Sequence, residues 1–328
     1  MEGIDLQAAG CTSEAITRAA LRVKPYALKT PLLYSAALSE KTGSELYLKM
    51  ECWQKCGSFK IRGISNFLGR LEEAKDHSRL VTASSGNHGL ALAYMSRLTN
   101  RAPVRVFVPQ NAEQAKVDKL RLMGAETVRG GRDFFAALDR AQSYAREQGC
   151  LYVHSHAHPD IIAGQGTIGL EILADLPDAE CIVVPIGGGG LVSGIAASVK
   201  AGSPETRILG VEPEAAPGAF LSLKENRSIE RIPLSPSLAD GLLGGFSPLC
   251  FAVSAHLIES VTLVSEEEIK TAMRSLLEEE QILVEGSAAV GLAAILAGKI
   301  ETKGKKVVLV LTGRNIAADK YLTCIKGG

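Results

Sequence analysis

Short runs of valine, isoleucine and leucine alternate along this chain with longer segments that have the 3.6-residue period of helices. Such mostly apolar runs are typical of strands that helices cover on both faces, because a strand with one face in water alternates polar and apolar residues instead. The runs that we interpret as strands are ELYLKM (45–50), RLVTAS (79–84), VRVFVP (104–109), CIVVPI (181–186), RILGVE (207–212) and VVLVLT (307–312). The sequence therefore predicts an α/β fold with mainly parallel, open twisted sheets covered by helices.

The helical segments fall between these runs, and one of them has a clear start signal. Ser265 is followed three residues later by Glu268, which is the spacing of a capping box. We predict helices at 58–71, 87–98, 112–123, 133–147, 160–174, 190–201, 265–278 and 286–298.

Length and charge limit the classes of protein to which the chain can belong. At 328 residues it is long for one compact core, so we expect two lobes. Its 36 basic side chains balance 36 acidic ones, and no stretch reaches the roughly 18 uncharged apolar residues of a membrane span. Seven scattered cysteines, none in a CxxC pair, favour reduced thiols over a structural zinc site. We therefore expect a cytoplasmic protein that binds neither nucleic acid nor a membrane.

Residues 57–63 read Gly-Ser-Phe-Lys-Ile-Arg-Gly and place Lys60 where a small-residue turn meets the start of a helix. Helix-terminal amides carry partial positive charge, which disfavours an ammonium group and makes the neutral amine easier to reach. Arg62 is expected to add to this effect. Because a neutral amine attacks aldehydes, Lys60 is a candidate for a Schiff base, and a solvated lysine on a first helical turn is the alternative.

A glycine-rich turn follows the fourth predicted strand and opens a helix. In the segment Pro185-Ile186-Gly187-Gly188-Gly189-Gly190, no side chain covers the glycine backbone amides, so several can converge on one phosphate at the helix start. A flexible turn is the alternative. The G-x-G-x-x-G spacing and the Walker A pattern are both absent, which argues against a nucleotide fingerprint.

Two further strand-to-helix or strand-end turns expose polar groups. The turn Ala83-Ser84-Ser85-Gly86-Asn87-His88-Gly89 offers hydroxyls and amides that suit a carboxylate, although Ser84 or Ser85 could be only a helix cap and His88 only a helix-surface residue. Thr312, after the last predicted strand, places a hydroxyl at the sheet edge where ligands of α/β proteins collect.

In this order the four turns resemble those of the fold-type II pyridoxal-phosphate enzymes, most closely the serine/threonine dehydratase and serine racemase branch. The resemblance runs from about residue 15 to about residue 316 and includes the stretches 161–169, 210–213, 238–241 and 284–286. It implies a two-lobed fold like that of tryptophan synthase β, with pyridoxal 5'-phosphate as the cofactor. It also implies a homodimer. Each subunit would have a large cofactor-binding lobe of residues 1–71 and 158–328 and a small mobile lobe of residues 72–157.

The resemblance assigns roles residue by residue. Lys60 holds the cofactor as a Schiff base, Phe59 flanks its ring and Asn87 meets the ring hydroxyl. Thr312 faces the pyridine nitrogen, and Ser85 stands where racemases place a proton donor, so that Lys60 and Ser85 are the expected catalytic residues. The other residues expected to bind the cofactor are Gly187, Gly188, Gly189, Gly190, Gly241 and Glu285. The residues expected to bind the substrate are Ser84, Ser85, Gly86, Asn87, His88 and His156.

The implied reaction is β-elimination from a β-hydroxy amino acid such as L-threonine or L-serine, which releases a 2-oxo acid and ammonium. A neutral hydroxyl at Thr312 does not hold the pyridine nitrogen protonated, so the ring withdraws electrons more weakly, which favours expelling a β-substituent. The alternatives are a serine- or aspartate-type racemase, an ammonia-lyase for 3-hydroxyaspartate or another polar hydroxy-amino acid, a cofactor-binding regulator without turnover, and a nucleotide-binding oxidoreductase.

The chain departs from the family pattern at three places. His154, His156 and His158 replace a proline-containing loop, which indicates either a different substrate side chain or, less directly, a metal site. Relatives bind a divalent cation with a glutamate, a carbonyl and an aspartate, but here Gly218 stands where the aspartate would follow Glu212 and Ala216, so we predict no metal site. Arg314 replaces a glycine, and its side chain either adds positive charge near the cofactor or points to solvent.

Overall fold

The computed structural model describes residues 10–233 and 235–326. Its helices are α1 (Ser13–Val23), α2 (Ala36–Thr42), α3 (Lys60–Glu73), α4 (Asn87–Leu98), α5 (Gln114–Leu122), α6 (Phe134–Glu147), α7 (Pro159–Asp175), α8 (Gly190–Gly202), α9 (Gly218–Glu225), α10 (Pro248–Ser254), α11 (Glu266–Glu280), α12 (Gly286–Leu296) and α13 (Ala318–Lys326). Its strands are β1 (Leu32–Tyr34), β2 (Glu45–Lys49), β3 (Leu80–Ala83), β4 (Arg105–Val108), β5 (Glu126–Arg129), β6 (Leu151–Tyr152), β7 (Cys181–Pro185), β8 (Arg207–Pro213), β9 (Ser260–Val264) and β10 (Lys306–Val310).

The strands form two sheets. The larger has the order β1-β2-β10-β7-β8-β9, in which only the edge pair β1–β2 is antiparallel. The smaller has the order β5-β4-β3-β6 and is parallel throughout. The predicted α/β fold with mainly parallel sheets is therefore confirmed, and the six predicted strands are β2, β3, β4, β7, β8 and β10.

The eight predicted helices are α3 to α8, α11 and α12, and their bounds lie within two residues of the prediction. The capping box of α11 is present, because Ser265 and Glu268 each accept a backbone N–H from the other residue. The sequence analysis missed helices α1, α2, α9, α10 and α13 and strands β1, β5 and β9, and it noted β6 only in passing. These missed strands are mostly half-buried, so they lack the continuous apolar run that identifies a central strand.

Glycines let helix α7 lie against both α3 and α8. A Cβ atom on Gly164 of α7 would stand 2.6 Å from the backbone oxygen of Arg62 in α3, and one on Gly194 of α8 would stand 2.4 Å from the backbone oxygen of Ile162. Real Cβ atoms do not approach other atoms so closely, so these positions require glycine. Helix α7 thereby holds the start of α3, where Lys60 lies, at a fixed distance from the helix that follows the glycine-rich turn.

A buried ion cluster fixes the first turn of α3. The Arg62 guanidinium pairs with Glu51 and with Glu171 of α7, each at 2.7 Å, and Lys49 of β2 pairs with Glu171 at 2.6 Å. The side chains of Lys49, Glu51 and Arg62 are at most 1% exposed. Two cations and two anions balance, so the cluster satisfies charges that would each be costly to bury alone.

The cysteines and the helices relate to the cytoplasmic location that the sequence led us to expect. All seven cysteines lie in the described residues, and none of them forms a disulfide there. Within residues 10–233 and 235–326, no helix is both long enough and apolar enough to span a bilayer. The cytoplasmic location remains a prediction.

We expect that Arg62→Met lowers the free energy of unfolding by about 3–5 kcal/mol, because it leaves the buried Glu51 carboxylate without its cation. Urea unfolding monitored by circular dichroism measures the change. The matched control is Arg18→Met, which breaks the Arg18–Glu14 pair on the exposed face of α1 and should cost less than about 1 kcal/mol. Equal losses in the two variants would contradict a stabilising role for the cluster.

Candidate active site

Lys60 is held at the start of α3 by contacts with the turn that follows β10. Ser58 forms an isolated antiparallel bridge with Gly313, and the backbone N–H of Phe59 donates to the carbonyl of Thr312 at 3.1 Å. Gly57 has the left-handed φ of +73° that the turn requires, and a Cβ there would meet the Asn315 side chain at 2.9 Å. The Lys60 and Thr312 segments, which are far apart in sequence, are therefore neighbours.

The environment of Lys60 favours the neutral amine. Its Nζ donates to the backbone carbonyl of Ser155 at 3.0 Å. Burial lowers the pKa of Lys60 from its ordinary 10.5 to about 8, and Cys250 and Glu285 oppose that shift. Arg62, which we expected to add positive potential here, instead lies in the buried ion cluster, where two glutamates balance its charge.

The glycine-rich turn forms an open cradle of backbone donors. It links β7 to α8, and Gly189, the residue before the helix, has a left-handed φ of +97°. The N–H groups of Gly187, Gly188 and Gly189 donate to no described residue. A Cβ on Gly188 would overlap the His156 ring, and one on Gly189 would stand 2.3 Å from the Phe246 ring. Free donors at the start of a 13-residue helix suit a phosphate, so this turn fits the phosphate of the expected cofactor.

A hydrogen-bonded group of polar side chains lies beside the Lys60 turn. Asn87, at the start of α4, donates to Glu285 at 2.7 Å, and Asn315 donates to Asn87 at 2.6 Å and through its backbone N–H to Glu285 at 3.0 Å. Burial raises the pKa of Glu285 to about 7, and nearby Asp240 adds to the shift. The backbone N–H of Gly241 donates to Ser287 in the first turn of α12, so Gly241 lies near this group.

The side chains of the turn before α4 have different environments. Ser84 accepts the N–H groups of Gly86 and Gly89, so its hydroxyl mainly orders the turn. Ser85 is half-buried, and no described residue forms a hydrogen bond with its hydroxyl. His88 is buried behind the turn, where Nε2 lies 3.1 Å from Thr82 Oγ1 and burial lowers its pKa to about 3. Only the backbone of His88 is therefore placed to contact a ligand in this turn.

The three alternating histidines separate into two environments. The rings of His154 and His156 are edge-to-face, with centroids 4.5 Å apart. His158 instead caps α7, where its Nδ1 accepts the N–H of Asp160, and packs against Phe67. In the part of the chain that the structure describes, no three His, Cys, Asp or Glu side chains are placed to hold a metal ion.

The glutamate expected at a cation site binds a helix terminus here. Glu212 is fully buried, and its two carboxylate oxygens accept the N–H groups of Ala219 and Phe220 in α9 at 2.8 and 2.9 Å. Burial raises its pKa to about 8 despite these hydrogen bonds. A Cβ on Gly218 would stand 2.7 Å from the Cα of Gly245, so an aspartate does not fit at that position without a shift of the backbone.

Sequence analysis did not assign Asn315 or Ser155 to the site. Asn315 connects three segments, since its side chain also donates to the carbonyl of Cys56 and accepts from Lys119. Its place in the turn after β10 was the available signal. Ser155 acts on Lys60 through a backbone carbonyl, and no side-chain pattern reveals such a contact.

Comparison with known proteins agrees with this geometry. Residues 23–313 match the family model described as pyridoxal-phosphate dependent enzyme. L-threonine ammonia-lyase of Thermotoga maritima is 42% identical over 318 residues, covering 97% of this chain and 79% of that protein. L-threo-3-hydroxyaspartate ammonia-lyase of Saccharomyces cerevisiae is 35% identical over 310 residues, covering 93% and 94%. The structure of maize serine racemase matches with a TM-score of 0.90 at 32% identity and covers 97% of both chains.

These matches extend across both sheets and all four turns that carried the resemblance, and they confirm the predicted family and cofactor. The chain belongs to the pyridoxal-phosphate-dependent enzymes of fold type II.

Proposed function

We propose that this protein is an ammonia-lyase that converts a β-hydroxy amino acid, such as L-threonine or L-serine, to a 2-oxo acid and ammonium. The observation that carries the proposal is the Lys60 amine, whose pKa is lowered to about 8 in an enclosed site beside the open glycine cradle. An amine with this pKa is neutral for a useful fraction of the time near neutral pH. It is therefore suited both to hold an aldehyde and to accept a proton.

Some of the site residues bind the cofactor or the substrate, and Lys60 transfers a proton. The glycine cradle holds the phosphate of the cofactor, and the turn Ser84–His88 orients the substrate carboxylate through its free backbone donors and the Ser85 hydroxyl. The Lys60 amine would take the α-proton of the substrate. Bound pyridoxal phosphate supplies the electron sink for the bonds that break at the α- and β-carbons.

The residue expected at the pyridine nitrogen favours elimination. Thr312 is 3% exposed, and its hydroxyl has no hydrogen bond with a described residue. A threonine hydroxyl carries no charge at any physiological pH, so it does not hold the ring nitrogen protonated as a carboxylate would. A weaker electron sink shortens the life of a carbanion and favours loss of the β-hydroxyl.

Two features support a second candidate function, amino-acid racemisation. The Ser85 hydroxyl has no partner among the described residues, so it is free to act as the proton carrier that the resemblance places opposite Lys60. Maize serine racemase, moreover, shares the fold across 97% of the chain. The relative that acts on L-threo-3-hydroxyaspartate supports a third possibility within the lyase class, a substrate with an acidic side chain.

We also propose the lobe division, the homodimer and the cytoplasmic location that the sequence led us to expect. Strands β3 to β6 lie between residues 80 and 152 and form a sheet of their own, which supports a small lobe of residues 72–157. The resemblance supports a homodimer, and the lack of disulfides among the seven described cysteines is compatible with a reducing compartment.

Lys60 should attach to the cofactor aldehyde with a pH midpoint near its pKa of about 8, compared with 10.5 for an ordinary lysine. Only the neutral amine attacks, so the rate of attachment to the apoprotein should rise with pH and level off above pH 8. Stopped-flow absorbance measures this rate. Borohydride reduction followed by peptide mass spectrometry should then find the pyridoxyl group on the Lys60 peptide, and Lys60→Ala should give no adduct. A midpoint near 10.5, or an adduct on another lysine, would overturn the assignment.

The reaction type can be tested with purified protein and a panel of L-serine, L-threonine and 3-hydroxyaspartate. We expect 2-oxo acid to exceed D-amino acid, with dinitrophenylhydrazone formation as the assay for the oxo acid and chiral chromatography as the assay for the D-amino acid. Ser85→Ala should lower any racemisation about 100-fold or more, since it removes a proton carrier, and should leave elimination within about tenfold.

Ser84→Ala is the matched control in the same turn. Its hydroxyl orders Gly86 and Gly89, so its loss should reduce both products in parallel. D-amino acid without 2-oxo acid would identify a racemase, and a protein that binds the cofactor but transforms none of the three substrates would contradict both enzyme proposals.

A further inference from the structure

The loop of residues 154–157 contacts both ends of the expected cofactor site. The backbone carbonyl of Ser155 in this loop accepts a hydrogen bond from the Lys60 amine at 3.0 Å. Through His156 the loop packs against the glycine cradle, because a Cβ on Gly190 would stand 2.9 to 3.0 Å from His156 atoms. One short loop therefore contacts both the reactive amine and the cradle.

The His156 ring lies flat on the backbone of the cradle. Its Cγ, Nδ1 and Cε1 atoms are 2.4, 2.3 and 2.2 Å from the point where a Cβ on Gly188 would stand. Such similar distances to three successive ring atoms mean that the face of the ring, rather than an edge, rests on Gly188. The ring therefore stacks on the Gly188 segment of the cradle, whose N–H groups have no partner among the described residues.

The hydrogen bonds around His156 define which ring nitrogen is available. Nδ1 lies 2.9 Å from the Ser155 hydroxyl, whereas Nε2 has no hydrogen bond with a described residue. If Ser155 donates to Nδ1, the proton of the neutral ring is on Nε2, which is then a donor without a protein partner.

The surroundings keep the His156 ring neutral. Burial lowers the pKa of His156 well below its ordinary value, and His154 and Lys60 lower it further. The nearest imidazole is itself uncharged, because Nδ1 of His154 accepts the N–H groups of His156 and Ala157 at 3.3 and 2.9 Å, and burial lowers its pKa to about 4. His156 therefore offers a hydrogen-bond donor without adding a cation next to Lys60.

We propose that His156 donates through Nε2–H to the cofactor phosphate, with Ser155 fixing the tautomer, rather than recognising the substrate side chain as the sequence analysis expected. This inference rests on the proposed function, since it concerns the same site. The second pKa of a phosphate monoester is about 6, so the cofactor phosphate can carry two negative charges near neutral pH. A neutral donor stabilises this dianion. It also adds no positive charge beside Lys60, where a cation would oppose protonation of the amine. Because the carbonyl of Ser155 in the same loop holds the Lys60 amine, binding of the phosphate by His156 would also affect the position of that amine.

The test is a cofactor titration of apoprotein variants, read by fluorescence and by phosphorus-31 NMR of the bound phosphate. His156→Phe keeps a planar ring but removes the donor, so it should weaken binding of pyridoxal phosphate about 10- to 100-fold and shift the phosphorus resonance. His156→Asn restores an N–H donor and should bind within about threefold of wild type if it reaches the phosphate. Ser155→Ala keeps the carbonyl that holds Lys60 and should give a smaller loss than His156→Phe, with the same direction of NMR shift.

His77→Phe, in an exposed histidine outside the site, is the control and should change neither readout. If His156→Phe alters the KM for amino acids while cofactor affinity and the phosphorus resonance stay at their wild-type values, His156 binds substrate and the inference is overturned. Both readouts are independent of turnover. A wild-type protein that fails to bind pyridoxal phosphate would instead contradict the proposed function itself.

Discussion

The active site depends on the ion cluster that anchors the first turn of α3. Arg62 lies two residues after Lys60, and its guanidinium is fixed between Glu51, just after β2, and Glu171 in α7. Each of these charges would be costly to bury alone, so the cluster is stable only when the three segments meet in one register. That register sets the rotation of α3, and the rotation decides where the Lys60 amine lies. A purely apolar contact would allow more slippage along α3 than paired charges do.

Backbone groups carry much of the remaining chemistry. The phosphate cradle consists of glycine N–H groups, the Lys60 amine is held by a carbonyl, and the Phe59 N–H is held by the carbonyl of Thr312. Such a site requires segments to approach more closely than side chains permit. That requirement explains why a Cβ on Gly188 would overlap His156 and one on Gly313 would stand 2.6 Å from the Glu285 carboxylate. Glycine at these positions is a geometric condition for the site.

The structural elements that could be predicted are those that depend on residues close together in the sequence. Central strands are continuous apolar runs, and turns with small residues mark helix starts, so the sheets, α3 and the glycine cradle could be located. The direction of a side chain depends on residues that are distant in sequence, so it could not be predicted in this way. His88 faces Thr82 and Val153 rather than a ligand, and Arg62 pairs with a glutamate 109 positions away. The short edge strand β1 forms only because β2 offers it an antiparallel partner.

Several ionisable groups around the reactive amine lose their charge readily. Burial lowers the pKa values of His88, His154 and His156, and it brings the pKa values of Lys60 and Glu285 to about 8 and about 7. The same cause acts on all five, because an enclosed site penalises whichever form is charged. Lys60 and Glu285 can therefore change protonation state near neutral pH at little cost. A neutral donor such as His156 suits such a site, because it can bind an anion without placing a further cation beside Lys60.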